Sequence, residues 1–150
     1  MITSSRLPWR RPFAIIAFIF EPATLSFRQM DSRKLALLCR ELADNKKAED
    51  ILILDVRKLS SVTDYFVIAS GASEPHLRAI VDEIKDKLRE SHRLRPRALD
   101  GTLQSAWLVL DYFDVIVHIM RTDLRKRYDL EGLWGDAPRV RARQRAAAKR

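Results

Sequence analysis

The stretch Trp107–Trp134, WLVLDYFDVIVHIMRTDLRKRYDLEGLW, decides how this chain is read. Two apolar runs, Trp107–Leu110 and Val115–Met120, flank a short turn that carries Asp111, Tyr112 and Asp114. Runs of β-formers with aspartates between them predict two strands joined by a tight turn, hence an antiparallel pair. A short basic helix is predicted over Asp123–Leu130, after which Trp134 stands beside Gly132 and Gly135. Aromatics and carboxylates this dense at a hairpin and a chain end point to a surface that touches something.

Working outward, helix and strand alternate. Ser32–Asn45 places Leu35, Leu38 and Leu42 on one helical face. Ile51–Val56 is almost continuously apolar and predicts an interior strand. A loop rich in Ser and Thr leads to a second strand, Tyr65–Ala69. Ser70-Gly71-Ala72-Ser73 then turns the chain, and Ser73 is the expected cap of a helix from Glu74 to about Ser91. That helix carries Leu77, Ile80, Val81, Ile84 and Leu88 on one stripe. Residues 98–105 hold Asp100-Gly101 and fit a short edge strand. The order implies an α/β fold: a mixed sheet flanked by helices, with the Glu74–Ser91 helix a crossover whose flanking strands run parallel.

A chain of 150 residues fits one domain with its own core. The net charge of +8 is unevenly placed. Residues 1–30 contribute +3, residues 139–150 contribute +6, and the stretch between them sums to −1. Basic arms of this kind give salt-dependent, sequence-blind attraction to phosphate backbones. The expected division is an N-terminal extension over 1–29, a domain over 30–137, and a basic disordered tail over 138–150 that would touch a phosphate backbone without reading it. The run Phe13–Phe20 is far short of the ~20 apolar residues of a membrane span. Glu21-Pro22 follows it where a signal peptide would need small residues. A start at Met30 is the preferred reading, with an organelle transit peptide second and secretion third. The lone thiol, Cys39, cannot form a disulfide within the chain and reads as a small buried apolar residue.

Chemistry-bearing residues are few. Asp111, Asp114, Asp64 and Asp55 could be arranged as a carboxylate set for a metal, but aspartates flanking a hairpin are far more often turn formers. The capped turn before Glu74 lacks the long glycine-rich loop and lysine of a nucleotide site. His118 lies within a strand, where a hydrogen-bonded structural histidine is the usual case. His76 and His92 have no evident nucleophile or carboxylate partner in the sequence. No cofactor is implied, and a docking protein is favoured over an enzyme.

The segments KAEDILILDVRKLSSVTDYFVIASGAS (47–73), HLRAIVDEI (76–84), DGTLQSAWLVLDYFDVIVHIM (100–120) and RYDLEGLWGDA (127–137) closely resemble the ribosomal silencing factor family, also called RsfS or Iojap. The resemblance covers about residues 32–137. It implies a nucleotidyltransferase-like fold without catalytic function. It also implies binding to the large ribosomal subunit through ribosomal protein uL14, blocking entry of the small subunit and repressing translation when nutrients are scarce. Organellar members are linked to large-subunit assembly. On a ribosome, the phosphate backbone met by the basic tail would be ribosomal RNA. The implied location is cytoplasmic, or a mitochondrion or plastid if residues 1–29 are a transit peptide; a homodimer in the free state stays open. Carried onto this chain, the partner-binding surface would comprise Trp107, Asp111, Tyr112, Met120, Tyr128 and Trp134, with His118 nearby. The family commonly has glycine in the hairpin, where this chain has Phe113. That residue either forces a different turn or adds an apolar contact at the tip.

Overall fold

The structure, a computed structural model, describes residues 30–143. The sequence readings of residues 1–29 and of the tail beyond Arg143 lie outside the described residues. The elements are α1 (Ser32–Asn45), β1 (Glu49–Asp55), β2 (Tyr65–Gly71), α2 (Glu74–His92), β3 (Ala98–Thr102), β4 (Trp107–Asp111), β5 (Val115–Arg121), α3 (Thr122–Tyr128) and α4 (Leu130–Leu133). The strands form one mixed sheet in the order β1-β2-β5-β4-β3. The β4–β5 hairpin is antiparallel, as its short turn predicted, and β2 pairs with β5 in parallel. The strands on either side of α2 do run in one direction, but β5 and β4 stand between them.

The helix stripes read from the sequence are the buried ones. In α1 these are Leu35, Ala36, Cys39, Leu42 and Ala43; in α2, Leu77, Ile80, Val81, Ile84 and Leu88. Each large aliphatic buried this way contributes roughly 1.5–3 kcal/mol. Burial pushes the Cys39 thiol up to about 12, so it behaves as an inert apolar group. Ser73 caps α2 by accepting the His76 N–H. His76 also accepts from the Ala72 N–H through Nδ1 and meets the Lys46 carbonyl with Nε2 at 2.8 Å, so it ties two loops together.

Three expectations are corrected. Strand β1 is an outer strand, not an interior one. Its apolar run reflects cover on both faces. Ile53 lies on one, while Leu54 and Leu52 join Phe66, Ile68, Ala137, Leu130 and Trp134 on the other. Cover above and below is independent of lateral position. Order also persists past Ala137, where apolar periodicity ends. Ala137 is buried, the Asp55 N–H donates to the Pro138 carbonyl at 2.8 Å, and the Val140 N–H donates to the Ile53 carbonyl at 2.9 Å. Leu54 and Arg139 form an antiparallel bridge there, so residues 138–140 lie along the free edge of β1. Backbone groups at a sheet edge supply partners regardless of side-chain pattern. Finally, the helix expected over Asp123–Leu130 is broken at Asp129. This residue adopts a left-handed φ of 43° and accepts the Gly132 N–H to cap α4.

Candidate docking surface

Alternation along β4 and β5 sorts their residues onto two faces. Leu108, Leu110, Val115, Val117 and Ile119 are buried toward the helical layer. Trp107 pairs with Met120, Val109 with His118, and Asp111 with Ile116, which puts these six on the opposite face. Except for Met120, all of them are only half-buried.

Aromatic rings organise this second face. Trp107 Nε1 donates to His118 Nδ1 at 3.2 Å. Tyr128 packs on Trp107 with centroids 5.3 Å apart; Phe66 meets His118 edge-on at 5.3 Å; Trp134 lies against Phe66 at 5.1 Å. The result is a continuous line, Tyr128–Trp107–His118–Phe66–Trp134, running from β4 across the sheet to the chain end. Each such ring pair is worth about 0.5–1.5 kcal/mol beyond its area. Burial lowers the His118 pKa to about 4, so the ring is neutral near pH 7. An N–H donated to Nδ1 then leaves the ring proton on Nε2. Close approach of β3 helps set Trp107: Gly101 (φ 83°) lies so near that a Cβ there would come within 2.0 Å of the Trp107 carbonyl oxygen.

The residues expected at a partner surface therefore divide. Trp107, Tyr128 and Trp134 belong to the aromatic line, with His118 at its centre, and Tyr128 is 56% exposed. Tyr112 and Met120 do not present a surface, being 3% and 0% exposed. Met120 shares the face of Trp107 but is covered. Tyr112 lies one residue past β4, within electrostatic reach of Cys39, and burial raises its phenol pKa. Asp111 is on the open face, yet both its oxygens have partners: Arg97 at 2.6 Å and the Phe113 N–H at 2.8 Å. It is a turn former, and its carboxylate is partnered within the chain. Phe113 keeps the turn that glycine would make, with φ 68°, and exposes its ring at the tip beneath the Arg97 guanidinium, 4.6 Å away. Both alternatives for this position resolve together: the turn is retained and an apolar tip is added.

One residue escaped sequence reasoning. Arg125 is buried and donates to Ser70 Oγ at 2.9 Å and to Glu131, fastening α3 and α4 to the end of β2. Within the basic run of residues 121–127 nothing distinguishes it. The available hint was Ser70, a polar residue in an otherwise apolar strand that must find a partner when buried. Among the described residues, no group of three His, Cys, Asp or Glu side chains is placed to hold a metal, and no helix is long and apolar enough to cross a membrane.

A family profile described as "Ribosomal silencing factor during starvation" matches residues 29–150. The chain belongs to this family. It is 39% identical over 109 residues to the ribosomal silencing factor RsfS of Bacillus subtilis, covering 73% of this chain and 92% of that protein. A crystal structure of a Chromobacterium violaceum protein superposes with a TM-score of 0.67 at 30% identity, covering 80% of this chain and 98% of the other. An organellar relative is the mouse protein named for mitochondrial assembly of the ribosomal large subunit. It is 33% identical over 98 residues, which cover 62% of this chain and 42% of that protein. The mixed sheet flanked by helices is thus the architecture of the ribosomal silencing factors.

Proposed function

We propose that this silencing factor docks on the large ribosomal subunit with its half-open aromatic face, takes ribosomal protein uL14 as its partner, and so blocks joining of the small subunit. Translation falls as a result when nutrients are scarce. The supporting observation is the aromatic line over β4 and β5. Interface centres favour Trp and Tyr, and a few such residues carry most of the binding energy. Trp107 is half-buried, has its N–H satisfied by His118 and is held by Tyr128, so it is pre-organised to receive a partner.

The protein acts by occupying a surface, not by catalysis. Three of the groups that could carry chemistry have internal partners: Asp111 with Arg97, Asp55 with Arg57, and His118 with the Trp107 N–H. It works in the cytoplasm. A second reading, a role in assembling an organellar large subunit, draws on the mouse relative's name. N-terminal sequencing of the native protein separates the two.

Sedimentation of ribosomal subunits with and without the purified protein tests the proposal. The wild type should travel with large subunits, with or without added nucleotide, and keep small subunits apart. Truncating a hot-spot aromatic costs ~2 kcal/mol or more, roughly a thirtyfold loss of affinity. Trp107→Ala should therefore need about thirty times more protein for the same effect, while Asp111→Asn changes little because Asp111 already pairs with Arg97. Circular dichroism and thermal melting confirm that Trp107→Ala is folded. If a folded Trp107→Ala protein separates subunits at wild-type concentrations, the aromatic face is not the docking surface. A metal-dependent nucleotidyl transfer that disappears in Asp111→Asn would overturn the non-catalytic reading.

A further inference from the structure

The chain end on the free edge of β1 has a pattern of its own. From Arg139 to Arg143 the sequence reads RVRAR, and exposure alternates with it: Arg139, Arg141 and Arg143 are exposed, while Val140 and Ala142 are half-buried. The Leu54–Arg139 bridge, the Asp55 N–H donated to Pro138 and the Val140 N–H donated to Ile53 pin the start of this segment, residues 138–140, along β1, and the alternation of exposure continues to Arg143. Beside it runs a groove of about 400 Å³, lined by Arg33, Arg57, Arg139, Arg141, Tyr65 and Asp55 among others. Four arginines and one aspartate are among its lining residues. Asp55 pairs with Arg57, whose guanidinium also sits over the Tyr65 ring at 5.3 Å.

We propose that this strap and groove form a binding site for an RNA backbone, separate from the aromatic face. In an extended segment, alternate residues lie about 6.8 Å apart on one side, a repeat that successive phosphates of an extended single strand can follow. All the cations involved are arginines, whose planar fork binds phosphate oxygens in pairs. A lipid surface fits less well. Interfacial segments offer large apolar side chains for burial, whereas here Val140 and Ala142 turn inward. The strap differs from a loose basic tail because backbone hydrogen bonds to β1 anchor it at Pro138 and Val140, on either side of Arg139. It engages RNA in the absence of any ribosomal protein, so this inference stands or falls independently of the choice of uL14.

The test uses the full chain and a short labelled oligouridylate, with fluorescence anisotropy measured over a series of salt concentrations. Each phosphate contact on a single strand contributes about −0.7 to the slope of log K against log salt. Arg139→Ser/Arg141→Ser/Arg143→Ser should flatten the slope by about 2 and weaken binding by at least roughly tenfold at physiological salt. These positions are exposed, so the variant keeps its fold, as melting will verify. Val140→Pro removes the N–H that donates to Ile53 while retaining every charge. It should bind about fivefold more weakly with the slope largely kept, since an unpinned strap must be ordered on binding. An unchanged slope in the triple variant overturns the proposal. Wild-type affinity in Val140→Pro also overturns it, because loose charge would then suffice. So does tighter binding to phosphatidylserine vesicles than to RNA at equal phosphate concentration.

Discussion

On the face toward α1 and α2, β5 presents Val115, Val117 and Ile119, all fully buried. On the other face the same strand presents Ile116 and His118, half-buried beneath a line of rings. The first face is closed by the amphipathic stripes of two helices. The second is covered over β1 and β2 by α4, Trp134 and Ala137, and is left partly open over β5 and β4. Both faces are rich in apolar atoms, so composition does not separate them. What separates them is whether the chain supplies enough structure to close them. Under the proposed function, the sheet face left half-covered with pre-positioned aromatics is the one that receives the partner.

The largest expected effects probe how each face is held. Leu110→Ala, on the closed face, should destabilise the protein by about 3 kcal/mol in urea unfolding, as a fully buried leucine leaves a cavity. Arg125→Ala should cost a similar ~3 kcal/mol, because it strands Glu131 and Ser70 and loosens the cover of the second face. Trp107→Ala should cost distinctly less stability than either, since its ring is only half-buried. If it proves as destabilising as Leu110→Ala, the contrast between the faces fails.

A smaller effect is a pH dependence peculiar to the open face. The folded-state pKa of His118, about 4, lies below its unfolded value near 6.5. The unfolded chain therefore binds more protons between these values. His118 contributes stability that is complete above about pH 6.5 and is lost as pH falls toward 4. The loss is at most roughly 3 kcal/mol, reached only once the pH has fallen below the folded value. His118→Phe should flatten the unfolding profile across this window; a profile as steep as that of the wild type would show that His118 is not the titrating group.

The smallest effect concerns the hairpin tip. A left-handed φ of 68° strains Phe113, whereas its contact with Arg97 offsets part of that cost, by about 0.5 kcal/mol at an exposed site. Phe113→Gly should be stabilising by less than about 1 kcal/mol, and Phe113→Ala destabilising by about 0.5 kcal/mol, since it keeps the strain and loses the ring. The order of the two melting temperatures distinguishes backbone strain from ring contact. Equal melting temperatures would mean that φ does not matter here.

The sequence by itself determined the two long helices, the strands and the family. Period-3.6 stripes gave both long helices with their buried residues, and β-branched runs gave the strands, because these patterns are local and repeat within a few residues. Segments 47–73, 76–84, 100–120 and 127–137 carried the resemblance that the profile match upholds. The tertiary structure alone decided which of the expected surface residues reach solvent. Tyr112 and Met120 read as well as Trp107 for an interface, and only the covering of each face tells them apart. It alone placed β1 at an edge and laid residues 138–140 beside it, since backbone hydrogen bonding there is blind to side-chain pattern. It also picked Arg125 out of a basic run, because the partners that bury it, Ser70 and Glu131, come from different elements that meet only on folding.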